Sequence, residues 1–296
     1  MRATASQTDP AYQDGTWTSP DGLRLHYRDY PGDPERTPVL CVPGLTRNAR
    51  DFAALAERLA GERRVIVAEL RGRGESAWAS DPMTYVPPVY AGDVRALIGE
   101  LGIGPVALFG TSLGGIVAML LGAIDPALLA GVLLNDIGPV LEPDGIARIV
   151  AYVGGATVWP DWEAAAATQA AVHGPAYPDY GSAEWLAMAR RLCRETADGI
   201  VLDYDPAIAA PFSVPPPDPT PDPWPLLDGL ADKPVLLVRG GLSDILGAAT
   251  AARMAERLPG MELVEIPRVG HAPTLGEADC ARAIARLLAR IDARRS

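Results

Sequence analysis

Cysteine is scarce in this 296-residue sequence: Cys41, Cys193 and Cys280 are odd in number and far apart. Such usage excludes a disulfide framework and leaves no metal-ligand spacing, so reduced, buried thiols and no metal are expected. Positive charge is also short, with 26 Lys and Arg against 37 Asp and Glu and a net charge of -11. Nucleic-acid partners, which need clustered cations, are excluded on that ground. No apolar run approaches a membrane span, and residues 1–14 lack the apolar core of a leader. A soluble cytoplasmic protein without a membrane partner is the expectation. Nucleotide loops are missing too: Gly72-x-Gly74 has no third glycine and no helix directly after it, and no Gly-x-x-x-x-Gly-Lys occurs.

What is present is apolar and regularly alternating. At 48% hydrophobic residues, the chain can bury the core of one large α/β domain, with or without an insertion. Ser19-Pro20-Asp21-Gly22 marks a turn between strands at Gly15–Thr18 and Leu23–Arg28, an edge hairpin that carries His26 in a structural or surface role. Strands are then expected at Val39–Val42, Val65–Ala68, Val106–Phe109 and Gly131–Leu134, with helices at Asp51–Leu59, Tyr90–Leu101 and Ile116–Ile124 between them. This order implies a mostly parallel sheet covered on both faces, with ligand sites beyond the carboxyl ends of the strands.

One turn stands out from the rest. Only Gly110-Thr111-Ser112-Leu113-Gly114-Gly115 separates the apolar strand ending at Phe109 from the helix body starting at Ile116. Gly-x-Ser-x-Gly in a strand-turn-helix holds a serine at the tip of a strained turn, with glycines that let strand and helix pass closely. Ser112 would stand at a helix N-terminus, where free N–H groups favour developing negative charge.

After Asn135-Asp136 the alternation stops for almost a hundred residues. Helical patterns cover Gly145–Val153, Asp161–Val172, Ala183–Ala197 and Pro206–Ala210, and a proline-rich run from Pro215 to Pro225 reads as a stiff return linker. Strand and helix resume at Val235–Arg239, Ala248–Leu258, Leu263–Ile266 and Ala278–Ala293. In that last helix Ile284, Leu287, Leu288 and Ile291 form a stripe suited to packing on the sheet. The core would therefore comprise 15–137 and 229–296, with 138–228 inserted as a helical cap. Trp159, Trp162 and Trp185 fall in the insertion, either lining an apolar substrate pocket or forming the cap's own small core.

A serine hydroxyl needs a base to take its proton and an acid to hold that base in the right tautomer. His271 follows the strand Leu263–Ile266 by a short loop and is the candidate base, whereas His173, beside Gly174-Pro175, suits a surface or loop role. Asp244, just beyond strand Val235–Arg239, is the first candidate for the acid. Asp136 also ends a strand and is the rival. Oxyanion donors are expected at the backbone N–H groups of Leu113, next after the nucleophile, and Leu45, in the loop after Val39–Val42.

With Val42-Pro43-Gly44-Leu45, Glu69-x-Arg71-Gly72-x-Gly74-x-Ser76, the Ser112 turn, Gly241-x-x-Asp244 and Gly270-His271-Ala272-Pro273, the chain resembles the α/β-hydrolase superfamily of the capped esterase and lactonase type over residues 15–293. It departs from that pattern at Pro43, usually His, and at Glu69, usually Asp. The resemblance implies an α/β-hydrolase fold with a helical cap after the sixth strand, no cofactor, and a small ester or lactone substrate, apolar and of medium size. It implies a Ser112–His271–Asp244 triad that cleaves carboxylic esters through an acyl-enzyme. Lactone or carbon–carbon bond hydrolysis and acyl transfer would use the same triad, and a ligand sensor is the alternative from another class.

Overall fold

The computed structural model of the protein describes residues 11–215, 218–219 and 221–294. The first ten residues lie outside the described residues. So do Pro216, Pro217 and Thr220 of the proline-rich return.

Strands β1 (Gln13–Thr18) and β2 (Arg24–Tyr30) form the expected hairpin. They are followed by β3 (Val39–Val42), α1 (Ala53–Leu59), β4 (Val65–Glu69), α2 (Pro87–Leu101), β5 (Val106–Thr111), α3 (Leu113–Ile124) and β6 (Leu129–Asn135). After an intervening segment, β10 (Val235–Gly240), α7 (Ala248–Arg257), β11 (Glu262–Ile266) and α8 (Ala278–Asp292) complete the sheet and its helices. The eight strands lie in the order β1-β2-β4-β3-β5-β6-β10-β11; the β1–β2 and β2–β4 pairs are antiparallel and the other pairs run parallel. This is the α/β-hydrolase fold.

Alternation along each strand divides the core. Leu40 and Val42 of β3 and Val106 and Leu108 of β5 face the layer holding α2, α3 and α7. Val39, Cys41, Ala107 and Phe109 face α1 and α8 instead. The α8 stripe of Ile284, Leu287, Leu288 and Ile291 is buried on that second face. All three cysteines are free and buried, and burial pushes each thiol up, that of Cys193 to about 12. No described helix is long and apolar enough to cross a membrane.

The chain leaves β3 toward β4 on one side and later enters β5 on the other, so the loops after β3 and β5 part at a switch point, where open α/β sheets bind ligands. Over this end lies the segment between β6 and β10: α4 (Pro143–Tyr152), β7 (Val158–Trp159), α5 (Trp162–His173), α6 (Ser182–Leu192), β8 (Cys193–Thr196) and β9 (Gly199–Leu202), then two 3-10 helices. The expected helix to Ala197 is thus cut short at Leu192. An Ala197-Asp198 turn, followed by Gly199 at φ +131° in the first position of β9, sends the chain back as a hairpin, and β9 also pairs with β7.

Candidate active site

The serine turn is shaped by backbone crowding. A Cβ at Gly114 would sit 1.9 Å from the Val42 carbonyl oxygen, and one at Gly110 would sit 2.3 Å from the Gly114 backbone, so only glycine fits either position. Ser112 itself takes φ 52°, ψ -117°, a conformation that L residues rarely adopt. Hydrogen bonds hold it there: its N–H donates to the Asn135 carbonyl at 3.0 Å, and its carbonyl accepts from Gly115 and Ile116 of α3.

His271 lies within hydrogen-bond reach on both sides, with Nε2 2.8 Å from Ser112 Oγ and Nδ1 2.8 Å from Asp136 Oδ2. A carboxylate can only accept, so Nδ1 carries the proton and Nε2 accepts from the serine hydroxyl. The loop of His271 is fixed from two directions. Asn135 Nδ2 donates to the Pro273 carbonyl, and the Tyr177 hydroxyl accepts from Ala272 N–H while donating to the Ala272 carbonyl.

Asp136, not Asp244, is the carboxyl group that lies against His271. It is fully buried at the end of β6 with φ 54°, and accepts from Gly240 N–H at 2.8 Å and Ser243 Oγ at 2.6 Å as well as from His271. The loop after β10 therefore supplies donors to the acid rather than the acid. Asp244, next in that loop, turns away to Arg148 of α4, whose Nε and Nη2 reach its two oxygens at 2.5 and 2.8 Å. Burial opposes ionisation of Asp244, but Arg148 outweighs it and holds the carboxyl below its usual value. The physical reason for the exchange is packing: Gly145 at the start of α4 presses on the Asp244 backbone, where a Cβ would meet its carbonyl oxygen at 2.0 Å. Chain order could not separate the two, since Ser112, Asp136, His271 satisfies it equally.

Leu113 opens α3, so its N–H belongs to the first turn, which no intrahelical carbonyl can satisfy. The loop carrying Leu45 lies against the serine, with a Cβ at Gly44 falling 3.5 Å from Ser112 Cβ. Pro43 stands in place of the usual histidine, and the loop is braced by other means. Arg73, wholly buried, donates from Nε to the Leu45 carbonyl at 2.8 Å, and Arg47 N–H donates to the Gly44 carbonyl. Glu69, the second departure, accepts from Ala49 N–H, Glu75 N–H and His26 Nδ1, tying the loops after β3 and β4 together. Burial pushes the His26 pKa down, yet Glu69 and Asp14 outweigh it and raise it, which makes His26 a buried structural residue.

A cavity of about 350 Å³ opens at Ser112 and His271. Its walls come from the loop after β3 and from α4, α5 and α6, and they mix apolar groups such as Phe52, Ile149 and Met188 with Arg47, Asp51 and Arg191. None of the three tryptophans lines it. Trp159 and Trp185 are buried in the inserted segment's own core, against which Trp162 packs, because their rings fill the space between α5, α6 and the small sheet. His173, expected at the surface, is buried and lines the cavity, edge-on to Tyr152 at 5.4 Å. Among the described residues no cluster of His, Cys, Asp and Glu could hold a metal ion.

The sequence profile of the Alpha/beta hydrolase family matches residues 39–287. A 3-hydroxybutyrate-oligomer hydrolase from Cupriavidus necator is 37% identical over 269 residues, 86% of this chain and 90% of that protein. A 2-(acetamidomethylene)succinate hydrolase from Mesorhizobium japonicum is 28% identical over 79% of this chain and 81% of its own. The crystal structure of an alpha/beta hydrolase from Novosphingobium aromaticivorans superposes with a TM-score of 0.90 at 52% identity, covering 95% of this chain and 99% of that one. With its sheet order, its serine turn and these hydrolase relatives, the chain belongs to the alpha/beta hydrolase family.

Proposed function

We propose that the chain is a serine hydrolase of carboxylic esters that works through an acyl-enzyme. The observation that carries this reading is His271 bridging Ser112 and Asp136, at 2.8 Å on each side. As Ser112 Oγ attacks the ester carbonyl carbon, His271 Nε2 takes the hydroxyl proton, and the charge it gains faces the buried side chain of Asp136. The carbonyl oxygen, now negative, is received by the backbone N–H groups of Leu45 and Leu113, each worth roughly 3–4 kcal/mol of barrier. Collapse breaks the bond to the alcohol, which leaves with the proton from His271. Water then attacks the acyl carbon, gives a proton to His271, and releases the carboxylic acid as Ser112 recovers its own. The segment between β6 and β10 acts as a cap that closes the cavity over these groups.

Ester chemistry also agrees with the name of the 37%-identical relative, since oligomers of 3-hydroxybutyrate are joined by ester bonds. The test is hydrolysis of p-nitrophenyl esters from acetate to decanoate by the wild type and by Ser112→Ala. Turnover by the wild type and a loss of at least about 1,000-fold in kcat for a folded variant are expected. Wild-type rates in Ser112→Ala would overturn the assignment, and the chain-length profile measures the pocket.

A further inference from the structure

We propose that this cavity selects esters that carry a free carboxylate, and that Arg47, with Arg191 beside it, receives that charge. The inference rests on the esterase reading above and narrows its substrate class.

The loop after β3 brings Arg47 to the reacting centre. A Cβ at Gly44 would sit 3.4 Å from Arg47 Cγ and 3.5 Å from Ser112 Cβ, so the arginine stem and the nucleophile border the same point. Charge at this wall is unbalanced. Arg47 Nη1 lies 3.5 Å and Arg191 Nε 3.7 Å from one and the same oxygen of Asp51, so two guanidinium groups share one carboxylate and neither is within normal hydrogen-bonding distance. Tighter pairs form at Arg148 with Asp244, Arg50 with Asp203 at 2.7 Å, and Arg71 with Asp93 at 2.7 Å. Arg47, Asp51 and Arg191 all face the cavity. The other carboxylate on the cavity wall, Glu184, accepts from Gly181 N–H at the start of α6.

The neighbourhood agrees with an anion site. His173, on the same wall, is pushed down to about 3, first by burial and then by the positive charges of Arg47 and Arg148. The cavity wall carries Arg47, Arg50 and Arg191 against the carboxylates of Asp51 and Glu184. Around Arg47 stand the phenol groups of Tyr152, Tyr177 and Tyr180, of which Tyr177 is engaged by Ala272 and Tyr152 by Arg148. A planar fork of N–H donors beside phenolic hydroxyls matches the two oxygens of a carboxylate in shape and charge. An uncharged acyl or alcohol chain would leave the same groups desolvated without a partner.

The experiment compares two esters of equal size, the monophenyl ester of adipic acid and that of adipamic acid, its neutral amide counterpart. For the wild type, kcat/KM for the acid is expected to exceed that for the amide at least tenfold. Arg47→Met should lower this ratio at least tenfold through KM, and Arg47→Lys should restore part of it. Asp51→Asn, which removes the competing carboxylate, should raise the ratio several-fold, a gain that misfolding cannot produce. Cleavage of both esters with a ratio near one, or a ratio indifferent to Arg47, overturns the carboxylate site and leaves the esterase reading standing. Failure to cleave either ester would count against the esterase reading itself. Calorimetry with adipamate, an anion without an ester, then decides the site alone: binding lost in Arg47→Met supports it, and equal or absent binding overturns it.

Discussion

Ser112 and Asp136 both sit at positive φ, at 52° and 54°, where a residue other than glycine costs on the order of 1–3 kcal/mol. Each is held there by hydrogen bonds from neighbouring strands, so the strain is fixed before any substrate arrives. His173 raises a different residue-scale question, that of pH. Its folded pKa is about 3 against an ordinary 6.5, so between those values the unfolded chain binds a proton that the folded one refuses. Stability is then fully present above pH 6.5 and falls as pH drops toward 3, by up to about 1.4 kcal/mol for each pH unit across that window. Replacing His173 by Gln should flatten this fall, which denaturant unfolding at pH 7 and pH 4.5 would measure. Equal acid sensitivity in the variant would show that other groups govern the decline.

The elements were legible to different degrees. The Ser19–Gly22 turn located β1 and β2, and apolar runs flanked by breakers located the other six strands of the main sheet, most of which are buried on both faces and so have few other readings. Boundaries slipped where polar residues continue a strand, as at Thr111 and Asn135, whose side chains hydrogen-bond to each other at 3.0 Å beside the nucleophile. The β8–β9 hairpin escaped because Arg194 and Glu195 favour a helix locally, and only Asp198 and Gly199, at the end of the turn and the start of β9, argue against one. For the β5–α3 turn, sequence and packing agree fully. Gly114→Ala should destabilise the fold by about 1–3 kcal/mol, as overpacking does, since the new methyl would strike the Val42 carbonyl. A melting temperature unchanged from wild type would mean that β3 can yield there.

At the scale of the whole molecule, the sheet brings the ends of β3, β5, β6 and β11 together, and the inserted segment packs down on the loops that follow them. Clamps cross this junction at Tyr177 with Ala272, Arg50 with Asp203 and Arg148 with Asp244. Ser112 and His271 could be picked from sequence because a hydrolytic serine has one turn suited to it and the chain has only three histidines. The acid could not be fixed that way. Asp136 and Asp244 both end strands in the same chain order, and what separates them is the approach of α4 to the β10 loop, a contact between residues almost a hundred apart. Nor did the tryptophans reveal the cavity, whose wall carries arginines and tyrosines from the segment after β3, from α4, from the connection between α5 and α6, and from α6. The most direct test of the Asp136–His271–Ser112 assembly is therefore kcat for one p-nitrophenyl ester in Asp136→Asn and Asp244→Asn, side by side. Loss of the buried acid should cost about 10,000-fold, whereas Asp244→Asn should remain within a few-fold of wild type. The reverse ranking would contradict the account.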